Sequence, residues 1–295
     1  MTRLERQNLV KGLAFISPWL VGFVVFTVLP VGLSLYYSFT DFSLLQPPAW
    51  VGLGNYQDLA NDPVFWRALR NTFVYAAMAL PAGMAVSIGF ALLLNAPVRG
   101  QAVYRTVIFL PSLVPAVASA MLWLWLFNAK LGLFNALLAR VGVEGPAWLS
   151  DPRWAMPSLA LMSLWGVGHS VVVYLAGLQD VPRELYEAAE IDGAGVLRRV
   201  VSVTLPMISP VIFFNLIMAI IGTMQVFAIP FIMTGGGPAR ATYFFTMYLY
   251  DNAFTFLRMG YASAMAWVQL VIILALTALA FWTSRRWVHY QGATR

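Results

Sequence analysis

Charged side chains in this chain gather between long apolar stretches. The 25 positions of residues 13–37 hold no Asp, Glu, Lys or Arg, and a helix of that length, at 1.5 Å per residue, exceeds the roughly 30 Å of bilayer hydrocarbon. Five more charge-free stretches follow at residues 71–94, 106–127, 154–178, 207–233 and 260–284. The pattern predicts an all-α membrane protein with six transmembrane helices, one domain over residues 1–295. Composition agrees: 60% of residues are hydrophobic and 10% charged, where soluble chains carry about 25% charged residues. Mean hydropathy is +0.75. Arg3, Arg6 and Lys11 resemble the start of a signal peptide, but the apolar run behind them is too long and lacks a small-residue cleavage site. An uncleaved first helix is expected.

Six crossings place both termini on one side. With the N-terminus inside, Arg3, Arg6, Lys11, Arg99, Arg105, Arg183, Arg198, Arg199, Arg285, Arg286 and Arg295 share that side, eleven against seven opposite. The positive-inside rule makes the termini cytoplasmic. Tryptophans such as Trp19, Trp50, Trp66 and Trp287 fall near the ends of stretches, as interfacial anchors do. The net charge of +6 is scattered singly and in pairs, so no nucleic-acid partner is expected and the bilayer is the predicted surrounding.

Without cysteine there is no disulfide and no thiolate ligand. Neither a phosphate-cradling G-x-x-x-x-G-K-[ST] nor a G-x-S-x-G nucleophile turn occurs, and the only histidines are His169 and His289. No catalytic residue, metal or cofactor site is expected in the chain, and it is not read as an enzyme. Among the six stretches only His169 is ionisable. Proton relays and voltage sensors use intramembrane charge, so its scarcity weakens ion coupling, although backbone carbonyls in broken helices also hold sodium. An energy source in another subunit fits better.

Residues 180–206 carry Asp180, Arg183, Glu184, Glu187, Glu190, Asp192, Arg198 and Arg199, 8 of the chain's 30 charged residues. This segment leaves the bilayer. Pro182 suits a helix start, Arg183 and Glu187 are spaced to pair, and Gly193 and Gly195 permit a bend. A second short helix is expected to run to Leu205, before Pro206 begins the fifth span. The predicted shape is a cytoplasmic helix-turn-helix, read either as a plug for another protein or as an ordinary solvated loop.

The order Glu187-Ala188-Ala189, three residues, Gly193, nine residues, Val203, one residue, Leu205-Pro206 resembles the signature of binding-protein-dependent ABC importer permeases. Val203 stands where that pattern usually has isoleucine. Tyr37-Ser38-Phe39-Thr40-Asp41, Val51-Gly52-Leu53-Gly54-Asn55-Tyr56 and Gly235-Gly236-Gly237-Pro238 are similar to the carbohydrate branch of maltose and glycerol-3-phosphate type. The resemblance implies a bacterial or archaeal cytoplasmic membrane, a second and different permease, two cytoplasmic ATPases that bind ATP and Mg, and an external solute-binding protein. It also implies that Glu187, Ala188, Ala189, Asp192, Gly193, Leu205 and Pro206 couple to the ATPase.

The same resemblance maps sugar-lining positions onto Ser163, Trp165, Gly166 and His169 of the fourth span and onto Ala219, Thr223 and Val226 of the fifth. Thr223 is the polar one of that last trio, and neighbouring Gln225 offers the polarity Val226 lacks. Asn215 and Gln269 are alternatives. Glycines in such a stretch equally serve close helix packing, and amides equally bond a neighbouring helix. The expected function is sugar or polyol import by alternating access. A membrane scaffold or receptor without transport and a stand-alone ion-coupled carrier are the alternatives. L-P-x-x-x-P recurs at Leu110–Pro115 and Leu205–Pro210, as an old repeat or simply as prolines at helix starts.

Overall fold

The computed structural model describes residues 2–289, so Arg295, counted among the interior charges, lies outside the described residues. Helices dominate the described residues. Helix α1 (Arg3–Ser38) starts in a capping box: Thr2 Oγ1 accepts from the Glu5 N–H, and the Glu5 carboxylate accepts from the Thr2 N–H. A short antiparallel hairpin, β1 (Thr40–Ser43) and β2 (Gln46–Trp50), follows. The apolar pattern did not foretell it. Next come α2 (Gly54–Asn61) and α3 (Pro63–Asn95). Helices α4 (Gln101–Leu113) and α5 (Ala116–Leu126) meet at 99°, and α6 (Leu133–Arg140) closes the following loop. Helix α7 (Pro152–Gly166), capped by Asp151, bends by 50° into α8 (Gly168–Gln179). After α9 (Arg183–Ile191), α10 (Val196–Met207) bends by 70° into α11 (Ser209–Met224). The chain ends in α12 (Ala228–Thr234), α13 (Phe245–Tyr250) and α14 (Met259–Ser284).

Helices α1, α3 and α14 are each long and apolar enough to cross a membrane, and the three bent pairs qualify when each is taken as one span. The expected stretches at 106–127 and 154–178 straddle bends. The stretch at 207–233 runs past Met224, where Gln225, Val226 and Phe227 interrupt the helix before α12.

Proline explains much of this irregularity. Pro115 lacks an N–H and drives Val114 into extended backbone (φ −74°, ψ 128°), which ends α4. Both L-P-x-x-x-P patterns sit on a bend, and the helix restarts just after the second proline in the first (Ala116) and just before it in the second (Ser209). Two π turns, Val24–Val28 and Val200–Thr204, each stop two residues before a proline, Pro30 and Pro206. A proline ring clashes with the carbonyl four residues back. Those carbonyls belong to Phe26 and Ser202, inside the widened turns.

The chain divides into two compact units, residues 2–63 with 249–270, and 64–248 with 271–289. In the first, Asn55 Nδ2 donates to the Ser38 and Thr40 carbonyls, both at 2.9 Å. A Cβ on Gly260 would lie 2.0 Å from the Thr40 carbonyl oxygen, so only glycine fits there. In the second, Trp123, Phe127, Met156, Leu159 and Phe244 form one buried cluster, and Ala91, Tyr174, Leu175 and Ile208 belong to another. No residue in the apolar window of α1 is buried within the chain, so its solvent must be lipid or another protein.

Candidate coupling elbow and polar cavity

The elbow runs from α9 through α10 and lies within the second unit. Glu184 occupies the first turn of α9, where an acid complements the helix dipole. At the other end the Ala194 N–H donates to the Ala189 carbonyl and the Gly193 N–H to the Glu190 carbonyl, both at 2.9 Å. Gly193 holds φ 74°. These paired bonds make a Schellman motif in which Ala189 is the third-last helical residue and Gly193 the left-handed one. The interval from Ala189 to Gly193 is therefore a geometric requirement of the turn. The extended backbone at Gly195 then starts α10.

Two side-chain links brace the elbow. Glu190 forms an ion pair with Arg199 across the turn, and the Tyr186 and Thr204 hydroxyls hydrogen-bond at 3.0 Å. Among the described residues Arg183 and Glu187 form no ion pair, although their spacing allows one. Competition with water makes exposed pairs of this kind weak. Glu187, Ala188 and Asp192 are exposed and Ala189 half-buried. The second helix continues through Leu205 and Pro206 to Met207, two residues past its expected end, because the π turn accommodates Pro206. The bend falls at Ile208, which is 1% exposed.

Sequence reasoning missed the elbow's apolar tip. Ile191 is 87% exposed, Leu197 78% and Val196 70%. They flank the Gly193 turn, so no helical periodicity links them. Their only signal is three large aliphatics within a charged segment.

A cavity of about 170 Å³ lies among α3, α7, α8 and α11. Ser163, Ala219 and Thr223 line it, together with Tyr75, Tyr174 and Asn215. Ser163 Oγ donates to the Ala160 carbonyl at 2.6 Å, Thr223 Oγ1 to Ala219 at 2.7 Å and Asn215 Nδ2 to Val211 at 3.0 Å. The Ser163 and Thr223 hydroxyl protons and one Asn215 amide hydrogen are thus spent on their own helices and Ser163 also bonds the Tyr75 hydroxyl, while the Thr223 and Asn215 oxygens and the second Asn215 amide hydrogen remain for a ligand. Tyr174 is 0% exposed and its hydroxyl has no partner among the described residues.

Trp165, Gly166, His169 and Gln225 do not line this cavity. The Trp165 ring instead meets Trp123 edge-on, with centroids 6.2 Å apart. Gly166, His169 and Gln225 are exposed. The cavity-facing stripe Ser163, Val167, Ser170 and Tyr174 keeps helical spacing across the break between α7 and α8, and Trp165, Gly166 and His169 fall off that stripe. Gly168, not Gly166, makes the tight packing contact: a Cβ there would lie 2.7 Å from the Ile108 carbonyl oxygen. Among the described residues no group of three His, Cys, Asp or Glu is placed to hold a metal.

Residues 79–289 match the family described as binding-protein-dependent transport system inner membrane component. The chain is 40% identical over 296 residues to "Probable ABC transporter permease protein YesP" of Bacillus subtilis (strain 168), covering 99% of this chain and 96% of that protein. It is 36% identical over 279 residues to the sulfoquinovosyl glycerol transport system permease protein SmoG of Agrobacterium fabrum (strain C58), covering 94% and 91%. Its fold matches a chain in the crystal structure of a bacterial alginate ABC transporter in complex with an alginate pentasaccharide-bound periplasmic protein. That match has TM-score 0.82, 24% identity and 96% coverage of each chain.

Proposed function

The chain belongs to the binding-protein-dependent transport system inner membrane components, and from that premise we propose that it carries a sugar or related polyol inward by alternating access. It is a permease subunit of an ABC importer and not an enzyme. ATP and Mg belong to two cytoplasmic ATPase subunits, solute arrives on an external binding protein, and a second, different permease completes the pathway. The eleven-to-seven excess of Lys and Arg supports cytoplasmic termini and a cytoplasmic elbow. One transmembrane domain spans the chain, with its coupling loop at residues 180–206.

The observation that carries this reading is the exposed aliphatic tip formed by Ile191, Val196 and Leu197 on a segment too charged to lie in lipid. Water is a poor solvent for that tip, and a cleft in a partner protein is a good one. Glu187 and Gly193 set its chemistry and shape, while Leu205 and Pro206 join it to the Ile208 bend, so closure of the ATPases would swing α11 between two packed states. Support for a hydroxylated solute comes from the back-bonded Ser163 and Thr223 beside Asn215, and from the sulfoquinovosyl glycerol named for one relative. Trp165, Gly166, His169, Ala219 and Gln225 complete the proposed pathway, with aromatic surface for sugar C–H faces.

Reconstitution with the co-encoded permease, ATPases and binding protein tests the proposal. Uptake of the binding protein's ligand should require ATP. Uptake by this chain alone without ATP would overturn it.

A further inference from the structure

A second cavity, of about 240 Å³, is a wedge between α4 and α8. On α8 it is lined by Gly168, Val171, Val172, Leu175, Ala176 and Gln179, a single helical stripe that rises about 16 Å. The wedge closes where Gly168 meets α4: a Cβ on that glycine would be 2.7 Å from the Ile108 carbonyl oxygen and 2.9 Å from the Phe109 Cα. At the opposite end of the stripe comes Gln179, and Arg105 lines the wedge from α4, one turn before Ile108 and Phe109.

Arg105 Nε is buried and lacks an acceptor. Among the described residues the Arg105 guanidinium makes no hydrogen bond, ion pair or contact over a ring, and the Gln179 amide makes no hydrogen bond. A partly buried cation without an anion is unfavourable. The wall running away from it is hydrocarbon, which water does not fill favourably and a free anion would leave empty. One molecule meeting both demands has an anionic head and an apolar tail about one leaflet long.

We propose that this wedge binds an anionic phospholipid, its phosphate on Arg105 and Gln179 and one acyl chain along Val172, Leu175 and Ala176 toward Gly168. The site rests on the chain's embedding in a membrane and is independent of which solute it carries. With the elbow cytoplasmic, the head lies in the leaflet whose surface attracts such cations. Gln179 is four residues before Arg183, so the bound lipid ties the start of α4 to the entrance of the elbow.

The test is lipid retention, which does not depend on uptake. The full-length chain with its co-encoded subunits is placed in nanodiscs of phosphatidylethanolamine with or without phosphatidylglycerol, extracted, and read by native mass spectrometry. The unaltered chain should retain phosphatidylglycerol in preference to phosphatidylethanolamine. Arg105→Gln should lower that retention roughly tenfold, and Arg105→Lys should keep most of it. Val172→Trp, which fills the groove and leaves Arg105 in place, should also expel the lipid. Equal retention by Arg105→Gln and Val172→Trp would overturn the site. So would displacement of the lipid by inorganic phosphate, or a photocrosslink from residue 172 that captures a helix of another subunit in place of lipid.

Discussion

In the elbow, backbone satisfies backbone: Ala189 and Glu190 carbonyls accept from the Ala194 and Gly193 N–H groups, which leaves Glu187, Ile191 and Leu197 outward and uncommitted. In the cavity, side chains satisfy backbone: Ser163, Thr223 and Asn215 each donate to a carbonyl of their own helix. The first arrangement presents a rigid knob to a protein. Under the proposed function the second presents oxygens to a small molecule, with one Asn215 amide hydrogen and the Tyr174 hydroxyl left to pair with it. Rigid shape matters most in the elbow and polar balance in the cavity, so the two should fail differently.

The largest effect should come from the elbow's shape. Gly193→Val forces a branched side chain into left-handed backbone, at a local cost of about 1–2 kcal/mol, and distorts the docking turn. Proteoliposome uptake should fall at least roughly tenfold while ATP hydrolysis persists, with Gly193→Asn less affected because asparagine tolerates that conformation. Equal losses for Val and Asn would mean the turn geometry is irrelevant. Glu187→Ala should uncouple in the same sense.

Next comes the aliphatic tip. Replacing Ile191 with Asp removes about 1.5–3 kcal/mol of burial available on docking, so co-purification of the ATPase should weaken by roughly tenfold or more. An undiminished complex would separate the tip from the interface.

Cavity substitutions should act more gently and on different readouts. Thr223→Val and Asn215→Leu each remove polar groups whose hydrogen bonds are worth about 0.5–1.5 kcal/mol, so solute uptake should slow by roughly three- to tenfold with ATPase affinity unchanged. A matching loss of ATPase binding would erase the division between the regions.

The smallest effect concerns the start of α7. Hydrogen bonds from the Arg153 side chain, then from its backbone N–H, hold the Asp151 carboxyl below the usual aspartate range. Its lowered pKa means the stabilisation is present above the ordinary aspartate value and is lost as pH falls through the folded one. Asp151→Asn should therefore flatten only the acid limb of a thermal-melt series, below about pH 4.

These contrasts also explain what the sequence disclosed. The turn of the elbow was readable because Ala189, Gly193 and Gly195 lie within one turn's reach, and a motif closed by near neighbours leaves its spacing in the chain. Counting along the chain reached Ser163, Ala219 and Thr223, but the cavity also takes Tyr75 and Tyr174, which no motif spacing marks. Within each helix the lining keeps regular spacing, Ser163, Val167, Ser170 and Tyr174 on one and Asn215, Ala219 and Thr223 on another, and His169 lies off that face. The β1–β2 hairpin was hidden for a related reason: Thr40 pairs with Trp50 through backbone bonds that hydropathy does not record.

The account stands or falls on where the elbow's tip resides. The chain contains no cysteine, so Ile191→Cys supplies a single thiol to an otherwise silent protein. In the assembled importer that thiol should crosslink to the ATPase and resist a membrane-impermeant maleimide applied outside intact cells. Rapid labelling from outside, with no ATPase crosslink, would contradict the account.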